Sequence, residues 1–302
     1  MRLFIKAGLL LSTVAVTALA LTGCAPSSQA TSGGGKISVV ASTDVWGDVA
    51  KQIGGNAISV TSIITDPNQD PHSYEANAQV QLALSRASVV IENGGGYDDF
   101  VDTLLKGANN PKATVLNAVD ISGFNQGQNL NEHVWYDFPT VQKVAAKITA
   151  KLSSLDSANA AVFAANQKKF DASLATLEAS EAAIKASSAA GDGVAITEPV
   201  PLYLLEASGL VNKTPAKFSE AIENGTDVAP DLLQQTLALF SGHTVKLLAY
   251  NEQTSGPQTE QVIAAAKAAG VAIVPVRETL PAGKDYLVWM TDNIAAVKAA
   301  LQ

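Results

Sequence analysis

Hydrophobic and polar positions follow a strand–helix rhythm that begins at Lys36. KISVVAST reads as a buried strand, VWGDVAKQIGG as a helix stopped by a glycine pair, and ISVTSII as a second strand. AQVQLALSRA and YDDFVDTLLKGA carry helical patterns, SVVIENGGG is a strand ending in glycines, and ATVLNAV closes the series. Short β-branched runs separated by helices of this length predict a mostly parallel sheet with helices on both faces. The second half repeats the plan. VAITE, VKLLAYN and VAIVPV are its strand candidates; PLYLLEAS, APDLLQQTLALFSG, TEQVIAAAKAAG and YLVWMTDNIAAVKAAL are its helix candidates. Pro230 suits a first helical turn and Gly242 a helix stop. No sequence repeat is strong enough to indicate duplication.

Between the halves lies an alanine-rich stretch, roughly Ser157 to Ala186, in which Phe163, Phe170, Leu174, Leu177 and Ile184 recur at spacings of three, four and seven or their sums. This is an apolar stripe at helical period, interrupted by Glu181. High alanine content favours a stiff helix over a loose linker. The organisation predicted is a leader at 1–23, a tether at 24–36, an N-terminal α/β lobe at 37–156, a linking helix at 157–186 and a C-terminal α/β lobe at 187–302.

The leader reading rests on MRLFIK, a short basic region, followed by the apolar run AGLLLSTVAVTALALTG, which is short for a spanning helix. It ends at LTGC, where Cys24 is the single cysteine. Leu21, Thr22, Gly23 and Cys24 resemble the lipobox of bacterial lipoproteins, which implies cleavage before Cys24 and its acylation. The Gly/Ser/Ala-rich APSSQATSGGGK then serves as a flexible leash. With no second cysteine, the exported part must be stable without a disulfide. The formal net charge of -8 and the lack of a basic stripe argue against nucleic-acid binding.

Candidate chemistry enters through the histidines, of which there are three. His72 lies in DPNQDPHSYE, after a predicted strand, where α/β folds collect ligands. His133 lies in NEHVWY, just ahead of a helix opened by Pro139. Two imidazoles in matching crossover segments point to a shared site for a first-row divalent metal, with carboxylates as harder partners. His243, in FSGHTVKL, reads as a helix-end or surface residue. The second half offers Glu198 in VAITEP and Glu278 in VPVRETLP after strands, with Asp285 a competitor to Glu278 and Glu252 a weaker one. Copper is disfavoured, because no cysteine or methionine is placed to bind it; Met290 is expected in the core.

VVAST, DPHSYE, EHVWYD, TEPVPLYLLEASGL, LAYNEQTSGP and ETLPAGKDYLVWMTDN together resemble the metal-binding substrate-binding proteins of bacterial ABC transporters for manganese, zinc or iron. The resemblance covers the whole exported part. It implies His72 as first metal ligand, His133 as second, Glu198 as third and Glu278 as fourth. The family most often has aspartate at the fourth position, so Asp285 or water stays an alternative there. It further implies two lobes joined by one long rigid helix, an ion held in the cleft, and delivery to a membrane permease driven by a cytoplasmic ATPase. This chain has no GxxxxGK[ST] loop of its own.

Zinc-specific members often carry a long histidine- and acid-rich loop near the second ligand, whereas this chain has only GFNQGQNLNEH. Two glutamates with two imidazoles make a comparatively hard site, which narrowly favours Mn(2+) over Zn(2+) as cargo. Asn251, Asp137, Trp46, Trp135 and Tyr136 are candidates to support the ligands, although Asp137 could equally serve its own helix. A metal-assisted hydrolase would need an open coordination position and a nearby base, which four protein ligands leave no room for. Adhesion is linked to some surface members of the family, but no feature of the sequence requires it.

Overall fold

The computed structural model describes residues 35–302 apart from 70, 72, 73, 75, 76, 126, 128 and 129. The leader, Cys24, nearly all of the tether, and His72 lie outside the described residues. Strands β1 (Ile37–Thr43), β2 (Ile58–Ile64), β3 (Val89–Glu92) and β4 (Thr114–Asn117) form a parallel sheet in the order β2-β1-β3-β4. Strands β5 (Gly193–Ile196), β6 (Val211–Asn212), β7 (Leu247–Asn251) and β8 (Ala272–Val276) form a second parallel sheet in the order β6-β5-β7-β8. Both sheets place the second strand at one edge, then the first, third and fourth. The halves thus share a topology that their sequences do not advertise.

Parallel sheets need cover on both faces, and the strand alternation supplies it. Val39, Ala41, Val89 and Ile91 enter the main core, while Val40 and Val90 join a second cluster on the other face. That second cluster is closed by α2 (Ala78–Arg86) and α3 (Phe100–Ala108). The other sheet behaves alike: Val194, Ile196, Leu247 and Ala249 belong to the main core, whereas Ala195 and Leu248 pack beneath α8 (Ala216–Glu223), α9 (Pro230–Ser241) and α10 (Pro257–Ala268). The main core runs without a break through both lobes. It includes α1 (Asp44–Gly54), α4 (Ala118–Ser122), α5 (Phe138–Leu155), α6 (Ala160–Lys185), α7 (Leu202–Ala207) and α11 (Tyr286–Ala300), with Met290 fully buried.

Helix α6 is the long linking helix, and all five apolar residues of its stripe are buried. Glu181 does not leave that stripe. It is only 5 % exposed, and burial pushes its carboxyl up to about 8, so it is held protonated near neutrality. The folded pKa exceeds the unfolded value, so the protein loses stability as pH rises from about 4.5 toward 8. Glu181→Gln is expected to raise unfolding free energy by about 2 kcal/mol at pH 8 and by little at pH 5. Urea denaturation at the two pH values checks this; an equal change at both would refute the protonation account.

The structure adds elements that the sequence pattern misses. Strand β6 has two residues, and α8 has only Phe218 and Ile222 as large apolar positions. Helix α3 starts at Phe100, because Asp98 ahead of it turns inward to accept the backbone N–H groups of Asn93 and Gly94 at 2.6 and 2.8 Å. Gly94 has φ 79°, and a Cβ there would collide with the Asn117 side chain, so the glycine is required by both conformation and space. At the end of α9 the left-handed residue is His243 (φ 52°), one position beyond the expected stop at Gly242; His243 is exposed.

Candidate metal centre

The carboxyl ends of β5, β7 and β8 converge, and each delivers a polar side chain into the interior. Adjacent strands β5 and β7 flank the point where strand order reverses, the usual ligand position in open α/β sheets. Asn251 ends β7, Glu198 follows β5 by two residues, and Glu278 follows β8 by two. All three are buried, with exposures of 0 %, 1 % and 0 %. The Asn251 amide donates to Glu198 Oε2 and to Glu278 Oε1, both at 2.7 Å. The Thr254 hydroxyl donates to the other oxygen of Glu198. Burial pushes the Glu198 carboxyl up to about 8; Asn251 opposes this and the charge of Glu278 reinforces it.

His133 comes from the first lobe and is fully buried. Its Nδ1 lies 2.7 Å from Asn131 Oδ1, which also accepts the His133 backbone N–H at 3.1 Å. Asn131 Nδ2 donates to the Pro199 carbonyl at 3.0 Å, which fixes the amide orientation. Nδ1 therefore carries the proton and Nε2 faces Glu278 Oε2 at 3.8 Å. Burial alone would lower the imidazole pKa, but hydrogen bonding and charge from Glu278 override it and bring it to about 9. In the ion-free protein, a proton on His133 offsets carboxylate charge.

His133, Glu198 and Glu278 are thus brought together, and Asn251 ties the two glutamates. Asp285 is not brought to them: it is exposed, and its carboxylate accepts the Val288 N–H at the start of α11. Glu252 is exposed as well and pairs with Arg277 at 2.7 Å. Asp137 caps α5 through the Thr140 N–H, while Asn131 is the acceptor on the His133 ring. Trp46 donates to Asn93 Oδ1 at 3.2 Å, and the Asn93 amide in turn holds the Glu132 carbonyl at 2.8 Å, next to His133. Trp135 packs edge-on to the His133 ring, with centroids 5.1 Å apart. The Tyr136 hydroxyl donates to the Arg277 carbonyl at 2.9 Å, bracing the peptide ahead of Glu278.

Sequence reasoning misses Asn131, Glu132 and Glu223. Glu132 and Glu223 each bring a carboxylate oxygen to His133, so that donor atoms of the three lie within 4.8 Å of one another. Glu223 Oε1 stands 3.8 Å from Nδ1, on the opposite ring edge from Glu278. Burial pushes the Glu223 carboxyl up to about 7. It comes from α8, the helix the pattern does not reveal; Glu132 and Asn131 sit beside His133 in sequence, and the bonding needs of a buried imidazole are the signal that could have found Asn131.

The donor set suits a first-row divalent ion. Bonds of about 2.1 Å from an imidazole nitrogen and a carboxylate oxygen can span the 3.8 Å between Nε2 and Oε2. The outer N–H of the imidazole already has its acceptor, as metal-bound histidines require. An interlobe cleft of about 700 Å³, lined by Asn131, Glu132, Pro199 and Glu223 among others, lies beside this cluster.

Comparison with known proteins bears on the same architecture. A manganese-binding lipoprotein, MntA, of Bacillus subtilis strain 168 is 29% identical over 164 residues, covering 53% of this chain and 53% of that protein. The chain thus spans about half the length of the curated relatives it matches. The periplasmic zinc-binding protein TroA from Treponema pallidum superposes with a TM-score of 0.74 at 20% identity, covering 88% of this chain and 99% of that one. The solute-binding protein FpvC from Pseudomonas aeruginosa, in complex with Mn2+, gives 0.73 at 21% identity, covering 89% and 99%. These two likenesses establish the fold. Residues 39–300 match the family described as zinc-uptake complex component A, periplasmic. Because that match runs through both lobes and the helix between them, the chain belongs to the zinc-uptake complex component A family.

Proposed function

We propose that this protein captures a divalent first-row transition ion, Mn(2+) narrowly ahead of Zn(2+), and delivers it to a membrane permease powered by a cytoplasmic ATPase. The observation that carries the reading is that the Asn251 amide ties Glu198 to Glu278 while His133 Nε2 faces Glu278 from the first lobe. His72 is proposed as the first ligand, completing the set with His133, Glu198 and Glu278, on the strength of its motif. The family is one of transport receptors, and the chain is not a catalytic enzyme. Acylation of Cys24 would anchor it at the outer face of the cytoplasmic membrane, with residues 25–36 as leash. Among the described residues, no helix is long and apolar enough to cross a membrane.

Two glutamates and the name of the relative from Bacillus subtilis support manganese. The family description and the Treponema protein support zinc as the alternative. In vitro the site should hold zinc at least as tightly, following the Irving–Williams order. Calorimetry on stripped protein is expected to give one tight site for each ion, and mass spectrometry of protein isolated from its native host should then find manganese. Zinc in the native protein would replace the manganese reading; no tight binding of either ion would overturn the site.

A further inference from the structure

We infer that Gln253, assisted by Arg277, is a positioning residue that sets how fast the bound ion leaves. This rests on the reading of the chain as a metal receptor. The first lobe is tied to the second asymmetrically. The segment bearing His133 is held from several sides: Asn131 donates to Pro199 O, Tyr203 donates to Asn131 O, Tyr136 donates to Arg277 O, and Tyr286 donates to Trp135 O at 2.6 Å. The segment leading to His72 meets the second lobe differently. There Gln253 Nε2 donates to Gln69 O at 2.7 Å, and Arg277 Nη1 donates to Pro67 O at 2.8 Å.

Gln253 does more than bridge. Its Oε1 accepts the backbone N–H of Glu278 at 2.6 Å, and its Nε2 also donates to Thr279 Oγ1 at 3.0 Å. A backbone N–H can only donate and a carbonyl can only accept, so the amide has one possible orientation. One side chain therefore joins the peptide of Glu278 to a carbonyl three residues before His72. Arg277 is the neighbour of Glu278, pairs with Glu252, and reaches the same first-lobe segment. Withdrawal of that segment from the second lobe must break these contacts, and restoring them is not required for an ion to make its first encounter. The effect belongs on dissociation more than on association.

The test is stopped-flow release of Mn(II) and of Zn(II) to excess chelator, from parent, Gln253→Ala, Gln253→Glu and Arg277→Gln. Loss of one or two net hydrogen bonds predicts release about tenfold faster, with association little changed. Gln253→Glu is the sharpest variant. It keeps the size and the acceptor for Glu278 N–H, yet sets a carboxylate oxygen against the Gln69 carbonyl. Its added negative charge would by itself slow cation release, so faster release can only come from the broken tie. Unchanged or slower release in both Gln253 variants, with the parent binding normally, overturns the inference and leaves the receptor reading intact. A parent that binds neither ion overturns the receptor reading and this inference with it. Should the Gln253 variants fail to fold, Arg277→Gln decides by the same criterion, with Arg277→Lys expected to restore part of the parent rate.

Discussion

In His133→Ala, affinity for Mn(II) and Zn(II) is expected to fall on the order of a thousandfold or more, beyond the tenfold to hundredfold typical of losing an outer hydrogen-bond partner. His133 is the donor that faces the second-lobe carboxylates, and its ring is aimed by a hydrogen bond on the far nitrogen. Glu278→Ala should follow the same course, because its carboxylate is fully buried opposite Nε2. Asn131→Ala should fall in the outer-partner range, since the ring stays but its tautomer and tilt lose their guide. Asp285→Ala should bind like the parent, because its carboxylate serves the α11 N-terminus. Competition titration against a calibrated chelator checks all four, with His72→Ala as the companion for the other histidine. Parent-like binding by His133→Ala would end the assignment, and loss in Asp285→Ala with retention in Glu278→Ala would move the fourth ligand.

Much of the architecture is legible in the sequence, for reasons visible in single elements. The apolar runs in KISVVAST and VKLLAYN mark strands, and both are buried on two faces: Val39 and Leu247 enter the main core, while Val40 and Leu248 each join a separate cluster on the other face of their sheet. The stripe on α6 was likewise readable, because a long helix packed along one side must repeat its apolar residues at helical spacing. Helix α8 was not: eight residues with two large apolar positions give too little periodicity to separate a helix from a loop. Glu223 was lost with it. The site divides along the same line. His133, Glu198 and Glu278 follow strands or mark a crossover, where ligand residues are expected, whereas the role of Asn131 depends on the bonding of one buried ring, which no spacing encodes. Asp137 beside His133 was an attractive partner by charge, yet its own helix uses it through the Thr140 N–H.

Asn251→Leu carries the second large effect, and here the measurement is stability of the ion-free protein. The parent amide places one NH2 group 2.7 Å from a carboxylate oxygen of each of Glu198 and Glu278. Leucine is close in volume but offers neither donor, so two buried carboxyl groups lose their common partner. Leaving a buried carboxyl group without its donor costs on the order of 1–3 kcal/mol for each of the two, and Tm should fall accordingly. The loss must depend on pH, and its sign follows from Glu198. Its folded pKa, about 8, already exceeds the unfolded value of 4.5, so stability contributed by this group is greatest below about pH 4.5 and declines as pH rises toward 8. Removing the amide, which opposes that rise, pushes the folded pKa higher still and steepens the decline. The gap between parent and variant should therefore widen from pH 5 to pH 8. Saturating Mn(II) should narrow it, because a bound divalent ion would be a stronger partner for both carboxylates than the amide they have lost. Thermal melts at both pH values, with and without the ion, separate this from simple loss of packing: a gap indifferent to pH and to Mn(II) would mean that Asn251 only fills space.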